Sequence, residues 1–160
     1  MKTKKIVFTI ITFAWVAVIF GFSLQPGKVS GDLSGSLTAK IMGVLVPGIS
    51  DNSSRLQFWN LVFRKFAHFS EYFILGTWSA VTLRQMQVRY RNAAGICFCI
   101  LVAAIDETIQ LFVEGRVGSP LDVLLDSTGA VAGIVAVALC IKFIAGKRNK
   151  QMKCEKNIKK

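Results

Sequence analysis

The sequence predicts an all-α polytopic membrane protein: a bundle of four transmembrane helices with both termini cytoplasmic. Three observations lead there. Four apolar stretches each reach the roughly 20 residues needed to cross a hydrocarbon core about 30 Å thick. Mean hydropathy is +0.49, while charged residues make up only 18% of the 160 residues, against about 25% in soluble domains. The charge is lopsided, with 20 Lys and Arg against 9 Asp and Glu, a formal +11, and much of the excess flanks the apolar stretches. These values exclude intrinsic disorder, a collagen-like repeat, a disulfide-stapled scaffold and most soluble enzymes.

The first expected span, residues 6–24, carries no charge and follows Lys2, Lys4 and Lys5. Its apolar run is long for a signal peptide and no A-x-A-like site follows, so it reads as an uncleaved helix. The second, residues 58–83, is polar in its first half (Arg64, Lys65, His68, Glu71) and apolar in its second. The third, residues 93–113, is clean until Asp106, Glu107 and Gln110, and the fourth, residues 121–145, starts with Asp122 and Asp126 and carries Lys142 near its end. Residues 1–146 form the transmembrane domain and residues 147–160 a basic tail. The Gly/Ser-rich loop Gln25–Gln57 has helical spacing over Ser36–Val46 (Leu37, Ile41, Val44, Leu45), a segment expected to lie on the outer surface as a lid.

Basic flanks set the orientation. The N-terminal lysines, the link Arg84–Asn92 with Arg84, Arg89 and Arg91, and the tail from Lys147 fall on one side if the chain crosses four times. By the positive-inside rule that side is the cytoplasm. The tail then meets anionic inner-leaflet lipid, worth roughly 1 kcal/mol per Lys or Arg. No aromatics interleave with its lysines, so no nucleic-acid partner is expected.

This topology gathers the polar residues of three helices at one depth, just below the outer face. Arg64, His68 and Glu71 are spaced by four and three and share a helix face. Asp106, Glu107 and Gln110 occupy one sector of the third helix. Asp122 and Asp126 lead into a small-residue stripe, Gly129, Gly133, Ala136 and Cys140, whose G-x-x-x-G spacing permits close helix approach. Intramembrane charges are costly and normally pair. Here five carboxylates (Glu71, Asp106, Glu107, Asp122, Asp126) face Arg64, Lys65 and His68, with Arg116 in the outer loop. Raised carboxylate pKa values, a bound cation or water in an open cleft can relieve that surplus. A salt-bridge network that only holds helices together is the simpler reading of the same residues.

The cysteines form no C-x-x-C and read as reduced and non-functional, and Trp15, Trp59 and Trp78 read as lipid-facing or interfacial. The sequence has no Walker A, dinucleotide fingerprint, G-x-S-x-G or H-E-x-x-H motif.

The stretch Arg64-Lys65-Phe66-Ala67-His68-Phe69-Ser70-Glu71-Tyr72, continuing to Leu75-Gly76, resembles the second-helix motif of the VanZ-like family. So do Asp106-Glu107 through Gln110 to Gly115-Arg116, then Asp122 through Asp126 to Gly129 and Gly133, and the Ser23-Leu24-Gln25-Pro26 end of the first helix. The resemblance implies a multi-pass protein of the bacterial cytoplasmic membrane, in a family whose namesake is associated with resistance to the glycopeptide teicoplanin. It also implies kinship with proteins acting on lipid head groups or lipid-linked cell-wall precursors.

Two functions are compatible with these residues. In the first, the chain is an enzyme on a phosphate-bearing lipid head group. His68 and Glu71 are its acid/base pair, with Asp106, Glu107 and Asp126 in the catalytic set. Arg64, Lys65, Tyr72, Gln110 and Arg116 bind substrate, and Asp122 with Asp126 binds Mg²⁺ or Mn²⁺ through oxygen. In the second, the same pocket binds a lipid-linked precursor or the drug without chemistry.

Overall fold

A computed structural model describes residues 2–45 and 53–158, and among these every regular element is a helix. They are α1 (Lys2–Ser23), α2 (Gly27–Leu45), α3 (Ser53–Gln85), α4 (Arg91–Leu111) and α5 (Pro120–Ile158). Three helices are long and apolar enough to cross a membrane: Lys2–Ser23, Arg91–Leu111 and the Pro120–Arg148 part of α5. The expected second span lies within α3, a helix of 33 residues that misses the same test. Arg64, Lys65, His68 and Glu71 interrupt its apolar run.

The molecule is apolar outside, and its interior mixes apolar and polar residues. Ile10, Phe13, Leu101, Leu139 and Phe143 are each about 60% exposed, whereas Thr12, Ser23, Ser79, Asp106, Gln110 and Asp126 are buried. Water-facing proteins do not present apolar surface on this scale, so the outward face of these helices is built for lipid.

α3 is the hub and packs against each of the other four helices. Its contact with α5 runs backbone to backbone. A Cβ on Gly76 would strike the carbonyl of Ala130, one on Gly129 that of Phe69, and one on Gly133 that of Phe73. The small-residue seam is thus a packing device, as its spacing predicts. α1 is held to α3 by polar contacts instead. The hydroxyls of Thr12 and Thr82 lie 2.9 Å apart, and Thr82 donates to the Phe8 carbonyl at 3.1 Å. Trp15 donates Nε1–H to the Glu71 carbonyl at 2.9 Å and packs on the core of Ile19, Tyr72, Leu75 and Val102. The lipid-facing expectation therefore fails for Trp15: an indole N–H in a dry bundle needs an acceptor, and α3 supplies one.

These contacts bring the start of α1 to the end of α3, where Lys4 and Gln85 line a shared recess. Gly95 near the start of α4 and Ile134 of α5 meet Leu83 and Ser79 on the same side. The basic start of α1 and the basic link after α3 thus lie together, at the end opposite the acidic residues gathered near the end of α1.

Two segments exceed their expected bounds. The loop helix starts at Gly27 rather than Ser36, because Thr38 and Met42 bury against α3 and Thr38 donates to Asn60. Its far end, Val46, lies outside the described residues. α5 runs past residue 145 without a break to Ile158, so the basic tail as far as residue 158 continues the fourth helix.

Candidate functional site

The acidic end of the bundle is an open polar cleft. One wall is the Arg64–His68–Glu71 face of α3, the spacing of four and three having delivered all three side chains to one recess of about 170 Å³. The end of α1 contributes Ser23 and Gln25, α2 contributes Ser30 and Ser34, and Arg116 closes the rim. A second recess of about 160 Å³ shares Arg64 and His68 and is lined also by Lys65, Gln110 and Asp122. Arg64 and His68 therefore stand between two recesses.

The rim is built by the α4–α5 loop folding over the end of α1. The N–H of Gly27 donates to the Glu114 carbonyl at 2.9 Å. Gly115 adopts φ +72 and abuts Gly27 closely enough that a side chain on Gly27 would strike it. Arg116 then reaches back, Nε to the Gln25 carbonyl at 3.2 Å and Nη2 to the Phe22 carbonyl at 2.9 Å. It caps the last turn of α1, whose carbonyls lack helical partners. Burial, with Arg64 opposite, holds the Arg116 guanidinium below its ordinary pKa. Glu107, 5% exposed, secures the other side of the loop by accepting the Ser119 N–H at 2.8 Å.

Beneath the cleft lie two fully buried carboxylates. Asp106 accepts from Gln110 Nε2 on Oδ2 at 3.3 Å, and Gln110 also donates to Ser23 at 3.3 Å. Asp106 Oδ1 and both oxygens of Asp126 have no hydrogen-bond partner. His68 Nδ1 stands 3.9 Å from Asp126 Oδ1, beyond hydrogen-bond distance, and it too is unpartnered. One ligand atom from each of His68, Asp106 and Asp126 lies within 4.8 Å of the others.

The candidate residues therefore divide by position. Arg64, His68, Glu71 and Arg116 line the main recess; Asp106 and Asp126 are fully buried and line neither recess. Asp122, expected to bind metal beside Asp126, is engaged instead by the Lys65 ammonium. Tyr72, expected at the substrate, is completely buried in the core, and Gln110 orients Asp106. Ser30 and Ser34 of α2 were not among the candidates, although their i,i+4 spacing marks a polar face on that helix. Arg64 makes no ion pair or hydrogen bond among the described residues. Among the described residues it is a cation of the cleft with no such partner.

Apolar exteriors around a charge-lined cleft at one end define a helical membrane protein. A family model described as VanZ/LLP1 matches residues 8–141, and the chain belongs to that family. Comparisons with curated proteins and with solved structures found no match.

Proposed function

We propose that this VanZ/LLP1 protein crosses the bacterial cytoplasmic membrane four times, with both termini cytoplasmic. At the outer face it would act on a phosphate-bearing lipid head group or lipid-linked cell-wall precursor. For the fourth crossing, the support is length and packing. At about 1.5 Å per residue, the 33 residues of α3 exceed the roughly 30 Å needed. α3 also touches every other helix, and Arg64, His68 and Glu71 are partly buried there. The N-terminal lysines and the basic link after α3, brought to one end, support the orientation.

The observation that carries the chemistry is the free guanidinium of Arg64 beside His68 and Glu71 in an open recess. A planar guanidinium matches phosphate oxygens bidentately. With the phosphate held there, a water or acceptor hydroxyl attacks phosphorus, and a base takes its proton as the P–O bond to the leaving group breaks. The leaving oxygen needs a proton in turn. Two titratable groups one helical turn apart, His68 and Glu71, fit that exchange. Where the substrate is a wall precursor, its altered pool would change the response to glycopeptides such as teicoplanin.

The test is mass spectrometry of membrane lipids and lipid-linked precursors from cells expressing the intact chain or Glu71→Gln at equal levels. A species that appears or disappears only with the intact chain is expected. Identical profiles would point instead to a pocket that binds its ligand without turnover.

A further inference from the structure

We infer that His68, Asp106 and Asp126 form a binding site for a first-row divalent transition-metal ion. The role given to the ion below rests on the head-group reading, but the site itself does not.

The three residues come from three helices, α3, α4 and α5, and the fold brings one potential ligand atom of each within 4.8 Å of the others. Ligand atoms on an ion with bonds of about 2.0–2.2 Å stand roughly 3–3.6 Å apart, so the three side chains close the set by moving inward about 1 Å. Separately, the hydrogen-bond pattern leaves this spot unfinished. Asp106 and Asp126 are both 0% exposed, yet Asp106 Oδ1, both Asp126 oxygens and His68 Nδ1 have no partner. Buried carboxylates are ordinarily paired, and an unpaired one costs several kcal/mol.

No neighbouring cation takes that place. Lys65 is engaged by Asp122, Arg116 by the carbonyls of Phe22 and Gln25, and Arg64 stands on the cleft wall without an ion-pair contact. A divalent cation would satisfy the orphaned atoms together. The donor set selects among metals: imidazole suits iron or zinc better than magnesium or calcium, and two carboxylates admit manganese as well. Gln110 completes the arrangement from behind, donating to Asp106 Oδ2 and to Ser23. Orientation of ligating carboxylates by such outer partners is usual in metal sites. His68 lines both recesses beside Arg64, and through it the ion would offset the repulsion between a bound phosphate and the carboxylates.

The experiment uses the full chain, purified in lipid nanodiscs, stripped with chelator and titrated with MnCl₂. Electron paramagnetic resonance counts bound ion and detects ¹⁴N coupling from an imidazole ligand. One Mn²⁺ per chain with ¹⁴N coupling is expected, displaced by Zn²⁺ and not by equimolar Mg²⁺. Loss of an outer partner typically weakens metal affinity 10–100-fold, so loss of a ligand in Asp126→Asn should weaken it by about 100-fold or more. His68→Gln should abolish the ¹⁴N coupling, while Glu71→Gln and Lys65→Met should bind as the parent does. A parent chain with full helical circular dichroism but no stoichiometric site would overturn the proposal. So would coupling that survives His68→Gln, or displacement by equimolar Mg²⁺. If a variant fails to fold, the parent's stoichiometry and coupling still decide. Stoichiometric metal in a chain that leaves every lipid unchanged would retain this site and remove the head-group reading; turnover by a metal-free chain would retain that reading and remove the ion's role in it.

Discussion

The backbone contact between α3 and α5 yields a sharp stability experiment. A Cβ built on Gly129 would lie 2.5 Å from the Phe69 carbonyl oxygen, whereas ordinary contact begins at 3.4 Å. The deficit is roughly 1 Å, and Gly76 against Ala130 and Gly133 against Phe73 are tighter still. The obstacle in each case is main chain in the middle of a helix, which cannot rotate away, so the helices must separate. Overpacking of this kind costs about 1–3 kcal/mol, and separation also loosens the neighbouring contacts of Tyr72 and Ala130. Gly76→Ala and Gly129→Ala should therefore each destabilise by about 2 kcal/mol, a factor of about 30 in the folding equilibrium. Gly21 in α1 supplies the control, because nothing lies within 4 Å of a Cβ built there. Gly21→Ala should stabilise slightly, by about 0.5–1 kcal/mol, through helix propensity alone. The assay is reversible unfolding of the purified chain in mixed micelles, followed by circular dichroism. If Gly76→Ala and Gly129→Ala were as benign as Gly21→Ala, the close α3–α5 approach would be refuted.

Three further outcomes follow from other contacts. Arg116→Gln removes the two bonds that cap α1, and with charge-assisted bonds worth about 1.5–3 kcal/mol it should lower stability by about 2 kcal/mol and quicken proteolysis near Pro26; unchanged values would deny the cap. Thr82→Val removes the hydroxyl shared with Thr12 and the bond to Phe8, and the same unfolding assay should register a loss of about 0.5–1.5 kcal/mol. If α3 crosses the membrane, a cysteine at Val117 in a cysteine-free chain should react with an impermeant maleimide in intact cells, and one at Gln87 only after lysis. Labelling of both from outside would rule out the four-crossing topology.

Much of the site was legible because helical spacing reports which residues share a face. Arg64, His68 and Glu71 reach one recess for that reason, and the glycines of α5 meet a neighbour as their spacing indicates. Spacing does not report which neighbour a face meets or how each helix is rotated. Hence the partners were not legible: Lys65 with Asp122, Trp15 with the Glu71 carbonyl, and Arg116 with the end of α1. The trio of His68, Asp106 and Asp126 depends on three helix rotations at once, so the sequence pointed instead to the i,i+4 pair Asp122 and Asp126. The Gly/Ser-rich composition of α2 hid the first half of a helix in which Thr38 and Met42 are buried.

The measurement closest to the central claim is turnover by the purified chain. The intact protein and Glu71→Gln are reconstituted into vesicles made from total bacterial membrane lipid, and head groups are quantified by mass spectrometry over time. A lipid or lipid-linked species consumed by the intact chain and at least about 100-fold more slowly by Glu71→Gln is the expected result. Equal rates for the two proteins, or no change with either when both are folded, would contradict an acid/base enzyme at this cleft.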